Sequence, residues 1–210
     1  MRLRSDDFAH MQPIPEEFAF GKPGPSGEPV VFAANRNPHL AWSEVPDGTR
    51  SFVLIVIDTD VPSSGDDVNK EGRHVPASLP RVEFFHWVMT DIPPECRELG
   101  SGSCAEGVVA HGRKNPFGPP GSHQGINSFT GWFEGDAAMS GDYYGYDGPC
   151  PPWNDDLLHH YHFHVYALDV PSLGLSGRFT ADRARDAMKG HILSEAVLTG
   201  TYTLQAALRR

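Results

Sequence analysis

A mainly β, loop-rich protein is the fold class that this sequence predicts, and three observations carry that expectation. The 210 residues include 22 glycines and 19 prolines, nearly a fifth of the chain, against roughly 12% in average usage. Few segments keep a helical period. The clearest apolar run, Ser-Phe-Val-Leu-Ile-Val-Ile at 51–57, is short, rich in β-branched residues and bounded by turn signals, as a buried strand should be.

The elements follow in order. Residues 1–28 read as an entry segment with little regular structure, and 29–33 as a first core strand. A short segment around Trp42 lies between 35–37 and the Pro46-Asp47-Gly48 turn. The strand at 51–57 runs into Asp58-Thr59-Asp60-Val61-Pro62, which sets two carboxylates at a strand end. Residues 63–81 are polar and mixed in charge, an inserted surface loop. A second strand at 83–91 should place Phe85, Trp87 and Met89 on one face and Phe84, His86 and Val88 on the other.

Residues 111–148 carry glycines, prolines and aromatics that include Phe129, Trp132, Phe133, Tyr143, Tyr144 and Tyr146. A loop that long in a compact chain is functional or disordered, and the aromatics argue for an ordered, packed one. Beyond 170, Thr180 can cap a helix through Ala181, Ala184, Ala187 and Met188. Ile192, Leu193, Ala196 and Val197 continue at helical spacing, Gly200 reads as a stop and 201–205 as a last strand. Neither a repeat nor a linker divides the chain, so a single domain over 1–210 is expected.

Net charge is −10, which disfavours general attraction to nucleic acid or anionic membrane. The first twenty residues lack an apolar signal core, and no apolar run is long enough to span a bilayer. A cytoplasmic protein without integral membrane association is expected. Cys96, Cys104 and Cys150 are too few and too irregular for a metal finger or a disulfide framework. Gly100-Ser-Gly-Ser-Cys-Ala105 has the letters of a dinucleotide loop but neither the strand before it nor the helix after it. No Gly-x-Ser-x-Gly elbow occurs. No cofactor is expected.

The most informative stretch is 147–170, where Asp-Gly-Pro-Cys-Pro-Pro leads into a histidine-rich strand. Alternation puts His159, Tyr161, Phe163 and Val165 on one face and His160, His162, His164 and Tyr166 on the other. The second face supports a metal site through His160, His162 and His164 with Asp155 and Asp156 nearby, or half-exposed histidines at a homodimer contact. The first face gains Asp58, Asp60 and His86 from other strands. Histidines oriented by carboxylates, with a tyrosine hydroxyl, can donate to a small anion. A hydrolase with His86 or His159 as general base is the remaining alternative, although no nucleophile is evident.

Asp58-Thr-Asp-Val-Pro62, His86-Trp87, Gly125-x-Asn127, Gly148-Pro-Cys-Pro-Pro152 and His159-x-Tyr161 occur in an order that resembles the phosphatidylethanolamine-binding protein family, notably its bacterial, Raf kinase inhibitor-like branch. Val165-Tyr-Ala-Leu-Asp169, Gly190-His-Ile-Leu193 and the terminal Gly-Thr-Tyr-Thr-Leu extend the likeness over most of the chain. The resemblance implies a large antiparallel sheet packed on a second, smaller sheet, β-sandwich-like, with a few peripheral helices. It also implies a non-catalytic pocket for phosphate, phosphomonoester or phosphoethanolamine-type head groups, and a modulating role toward a phosphorylated partner or kinase signalling. The ligand-binding residues would be Asp58, His86, His159 and Tyr161, shaped by Asp60, Pro62, Gly148, Pro149, Pro151 and Pro152. Three departures matter: Thr59 stands where the family often has proline, His160 where it has arginine, and the longer 131–144 segment could cover the mouth with Trp132, Tyr143 or Tyr144.

Overall fold

Twelve residues, Ser51–Pro62, form the strand around which the chain is built. The computed structural model describes residues 1–209. In order its elements are β1 (Arg2–Arg4), β2 (Gln12–Pro13), β3 (Gly21–Lys22), β4 (Val31–Phe32), β5 (Leu40–Ser43), β6 (Ser51–Pro62), β7 (Arg81–Ile92), β8 (Glu98–Leu99), β9 (His123–Gln124), α1 (Phe129–Trp132), β10 (His159–Leu168), α2 (Ala181–Met188) and β11 (Ile192–Tyr202). Six strands make the main sheet in the order β2-β11-β10-β6-β7-β9. Every pairing in it is antiparallel except the short β2–β11 contact.

Because β6 is central, both of its faces are buried, which is why its sequence is continuous rather than alternating. Phe52, Leu54 and Val56 meet Trp87, Met89, Phe163 and Val165 and pack on Leu3, Leu40, Trp42 and Leu99 of the smaller sheet β1-β5-β8. Val53, Ile55 and Ile57 face the other way, against Phe179, Ala181, Ala184 and Met188. The expected two-sheet packing is therefore present, with α2 closing the outer face.

Thr180 caps α2 by accepting from the Arg183 N–H. Thr180→Ala should lower stability by about 1 kcal/mol in chemical denaturation; no change would mean the last turn carries the helix without its cap.

Several expectations need correction. Residues 192–197 are strand, not helix. Gly190, at φ 83°, ends α2, and β11 then pairs with β10 along its length. The apparent helical period arose because Ile192, Leu193 and Val197 are apolar yet face outward, 41–47% exposed. Gly200 lies within this strand, where a Cβ would sit 2.5 Å from the Ile14 side chain and 2.9 Å from Phe8. It permits close packing rather than ending an element. Residues 1–28 contribute β1, β2 and β3, and 29–33 is not a core strand: β4 is two residues long and Phe32 is 62% exposed.

The alternation expected in β7 is broken by a β-bulge. Val56 pairs with Trp87 but Ile57 with Phe85, so His86 is the extra residue. His86 and Trp87 consequently lie on the same side: Trp87 and Met89 in one core, Phe85 and Val88 on the opposite side. The bulge therefore carries His86 onto the face that holds Asp58.

Candidate functional site

β-sheet register assembles the site. Tyr161 pairs with Asp58 and Asp58 with Phe84, so three adjacent strands present neighbouring positions at one end of the sheet. His159 precedes Tyr161 by two residues and shares its face. All four predicted ligand-binding residues, Asp58, His86, His159 and Tyr161, line one cleft of about 530 Å³. Pro62, Pro151 and Pro152 line it too.

The remaining shaping residues act from behind. Gly148 lies where a Cβ would be 2.0 Å from the Phe18 carbonyl oxygen. The Pro149 carbonyl accepts from the N–H groups of Phe20 and Gly21. Asp60 does not reach the cleft; its carboxylate accepts from the backbone and Nδ1 of His160, both at 2.8 Å. His160 thus belongs to the far face and is not a pocket residue in place of arginine. Of the three aromatics considered for the mouth, Trp132 lines the cleft, whereas Tyr143 is fully buried behind the cleft-lining rings of Phe20, Phe129 and Phe133 and Tyr144 bridges to Ile126.

His159 is completely buried between two carboxylates. Its Nδ1 donates to Asp58 Oδ2 at 2.7 Å and its Nε2 to Asp155 Oδ2 at 3.1 Å. Burial alone would lower its pKa, but the hydrogen bonds and charges of Asp155 and Asp58 prevail and raise it to about 9. Asp155 also takes a two-pronged bond from Arg81, at 2.6 and 3.0 Å. Burial opposes ionisation of Asp155, yet the bonds from His159 and Arg81 hold its carboxyl below the usual range. Asp58 Oδ1 accepts the Asp60 N–H at 2.8 Å. The result is a buried chain of alternating charge, Asp58–His159–Asp155–Arg81.

His86 is anchored differently. Its Nδ1 donates to the Asp147 carbonyl at 2.8 Å, and the Asp147 N–H returns a bond to the His86 carbonyl. Burial holds its pKa below the ordinary histidine range despite the nearby Asp58 carboxylate. Asp147 is itself buried; its carboxylate accepts from Asn35 Nδ2 and Asn127 Nδ2 at 2.7 and 2.8 Å. Burial pushes its pKa up to about 6 against those two bonds. Asn35 Oδ1 then accepts the Gly148 N–H, tying the proline turn to the start of the chain. The Tyr161 hydroxyl is buried beside the Asp58 carboxylate and, among the described residues, has no hydrogen-bond partner within 3.5 Å.

Sequence reasoning missed Arg81, Asp147 and Asn35, and placed Asp155 on the wrong face. Asp155 lies four residues before His159, and the signal for it was the polar Trp-Asn-Asp bend after the prolines. Asn154 in that bend accepts the Asn69 N–H and donates to the carbonyls of Asp67, Lys70 and Arg73, so it fastens the 63–80 loop beside the cleft.

His160, His162 and His164 do stack along the opposite face, with ring centroids 6.5 and 6.1 Å apart. Each Nδ1 is engaged, by Asp60, Thr199 and Glu195 respectively. Among the described residues no three histidine, cysteine or acidic side chains are grouped closely enough to hold a metal.

Fold and site together define a mainly β protein with a cleft at one end of its central strands, ended by buried His, Asp and Tyr side chains and walled by Cys150, Pro151 and Pro152. A family model described as phosphatidylethanolamine-binding protein matches residues 4–203, and the chain belongs to that family. It is 34% identical over 166 residues to a UPF0098 protein of Aquifex aeolicus, covering 79% of this chain and 73% of that one. It is 31% identical over 202 residues to a UPF0098 protein of Chlamydia trachomatis, covering 96% and 98%. The phosphatidylethanolamine-binding protein homolog CT736 of Chlamydia trachomatis superposes with a TM-score of 0.64 at 29% identity, over 96% of this chain and 95% of that one. E. coli YbcL, described as a member of the mammalian family, shares the fold with a TM-score of 0.67 at 24% identity, over 96% and 97%. No helix is long and apolar enough to cross a membrane among the described residues.

Proposed function

We propose that this chain is a non-catalytic, cytoplasmic binding protein for a small anion of the phosphate, phosphomonoester or phosphoethanolamine head-group type. The proposed site is the cleft end formed by Asp58, His86, His159 and Tyr161. A phosphorylated partner protein would present the same chemistry. The observation that carries this reading is the buried Tyr161 hydroxyl, unpartnered beside the one pocket imidazole that keeps a free nitrogen. A buried donor without an acceptor costs roughly 1–3 kcal/mol, and a ligand oxygen removes that cost.

The same geometry disfavours the hydrolase alternative with His159 as base; His86, whose Nε2 is free, keeps the lone pair that a base needs. His159 is protonated and has both nitrogens occupied, so it has no lone pair with which to act as a base. The Cys150 thiol in the cleft wall is pushed by burial to about 12, which leaves it un-ionised and a poor nucleophile at neutral pH.

Calorimetric titration of phosphate and phosphoethanolamine tests the reading. Wild type should bind both weakly, and Tyr161→Phe should bind them about tenfold less well while remaining folded, since one hydrogen bond to a charged group contributes about 1.5–3 kcal/mol. Equal affinity in the two proteins would remove Tyr161 from the site.

A further inference from the structure

Among the described residues no free cation lines the proposed anion site. Neither lysine nor arginine is among the cleft residues, and the two cations behind it, buried His159 and largely covered Arg81, have no N–H to spare. His159 donates from both nitrogens to carboxylates. Arg81 commits all five donors, to Asp155, Asp60, Pro76 and Leu79. Two carboxylates and two cations in that chain also cancel in charge.

Among the histidine and tyrosine side chains of the buried cleft end, two polar atoms remain for a ligand. One is the Tyr161 hydroxyl, a donor. The other is His86 Nε2. Because His86 Nδ1 must carry a proton to bond the Asp147 carbonyl, Nε2 of the neutral ring is a lone pair. Phe84, Phe129 and Tyr161 rings enclose that imidazole at centroid distances of 5.0, 5.6 and 5.2 Å, surroundings that resist a second proton. The ionisable groups around it are Asp58 on β6, His159 and Tyr161 on β10, and Asp147 and Cys150 in the proline turn. A fully ionised phosphate offers acceptors only. An acid that keeps one hydroxyl offers one donor and one acceptor, which is what the site can match.

Apart from Asn69, the rest of the cleft is apolar, and it is far larger than a phosphate group. Phe20, Val30, Phe32, Val68, Trp132 and Phe133 wall it, and its volume falls in the range of about 300–1,000 Å³ that takes a drug-sized molecule. Phe32 and Trp132 stand at 62% and 52% exposure, large apolar side chains that an occupant would cover.

We propose that the cleft takes an apolar phosphomonoester or phosphonate in its singly protonated form, its acidic hydroxyl donating to His86 Nε2, an unprotonated oxygen accepting from Tyr161, and its aryl or alkyl body lying against Phe32 and Trp132. This rests on the assignment of the same cleft end as the anion site. A carboxylic acid has the same donor and acceptor only below its pKa of about 4, whereas a phosphomonoester keeps its proton up to a second pKa of about 6.

Titration calorimetry with phenyl phosphate, phenyl sulfate and inorganic phosphate at pH 6, 7 and 8 tests it. Phenyl phosphate should bind at least tenfold more tightly than inorganic phosphate at pH 6, and Trp132→Ala should erase that advantage. Its affinity should fall about tenfold between pH 7 and 8, as the monoanion is depleted, with one proton taken up per ligand when two buffers are compared at pH 8. Phenyl sulfate, the same shape without a proton, should bind at least tenfold more weakly than phenyl phosphate at pH 7. Equal affinity for phenyl and inorganic phosphate overturns the apolar body. An affinity for phenyl phosphate that does not change from pH 6 to 8 overturns the shared proton. Failure of inorganic and phenyl phosphate alike to bind at any of these pH values would instead overturn the anion site on which the inference depends.

Discussion

Asp155→Ala is expected to destabilise the protein by about 3–5 kcal/mol, because it strands the buried His159 cation and the largely covered Arg81 guanidinium at once. Asp155 is 1% exposed and binds His159 Nε2 and the Arg81 guanidinium through the same carboxylate. The loss should appear in urea denaturation as a lower midpoint at unchanged slope. Combining it with Arg81→Met should cost less than the sum of the two changes, since each leaves the other's partner unpaired. A loss below about 1 kcal/mol, the level of a solvent-exposed pair, would show that water replaces the carboxylate and that the chain of charges is not held dry. The change should also loosen the 63–80 loop, because Arg81 reaches the Pro76 and Leu79 carbonyls from the position that Asp155 fixes.

This network explains which parts of the site could be read from sequence. Asp58, His159 and Tyr161 were legible because strand alternation and register are simple, and two-residue periodicity put the latter two on one face. His86 was legible as a residue but not as a direction: ordinary alternation separates it from Trp87, and only a bulge opposite Val56–Ile57 reconciles them. Bulges leave no dependable mark on a single sequence. Asp155, Arg81 and Asp147 were missed for a different reason. Each is a charged residue in a polar segment, where the ordinary reading is a solvated surface, and each is buried only because distant segments supply its partners. Asp147 needs Asn35 from 112 residues away and Asn127 from 20.

The same distinction holds for the fold. β6 and α2 were readable from a buried β-branched run and from an N-cap followed by spaced alanines. β11 was not, because its outward apolar residues copied a helical period and Gly200 looked like a stop. What makes it a strand is its partner: ten of its residues are paired with β10, from Ile192 opposite Leu168 to Tyr202 opposite His159. Local propensity is a weak guide where cross-strand packing decides.

Stability should fall by about 2 kcal/mol between pH 7 and pH 9, and His159 should be the reason. Its pKa is about 9 in the folded protein against 6.5 for the free side chain. Below 6.5 both states hold the proton and the stabilisation is fully present. Above 6.5 the unfolded chain releases it while the folded chain keeps it, so the stabilisation drains away and is lost as the pH passes 9. A shift of that size corresponds to about 3 kcal/mol in total. Two other groups act outside this window. Asp147, raised to about 6, penalises folding as the pH climbs from 3.8 to 6. His86, lowered by burial, costs stability as the pH falls below 6.5. Between 7 and 9 these two change charge little, and the three cysteine thiols, raised by burial, add a smaller decline near pH 9 that a His159 variant shares, so the difference between wild type and variant isolates His159. Urea midpoints across that range should decline for wild type and much less for His159→Gln, whose amide carries no proton to lose. An equally steep decline in the variant would assign the slope to another group and leave His159 neutral between its two carboxylates.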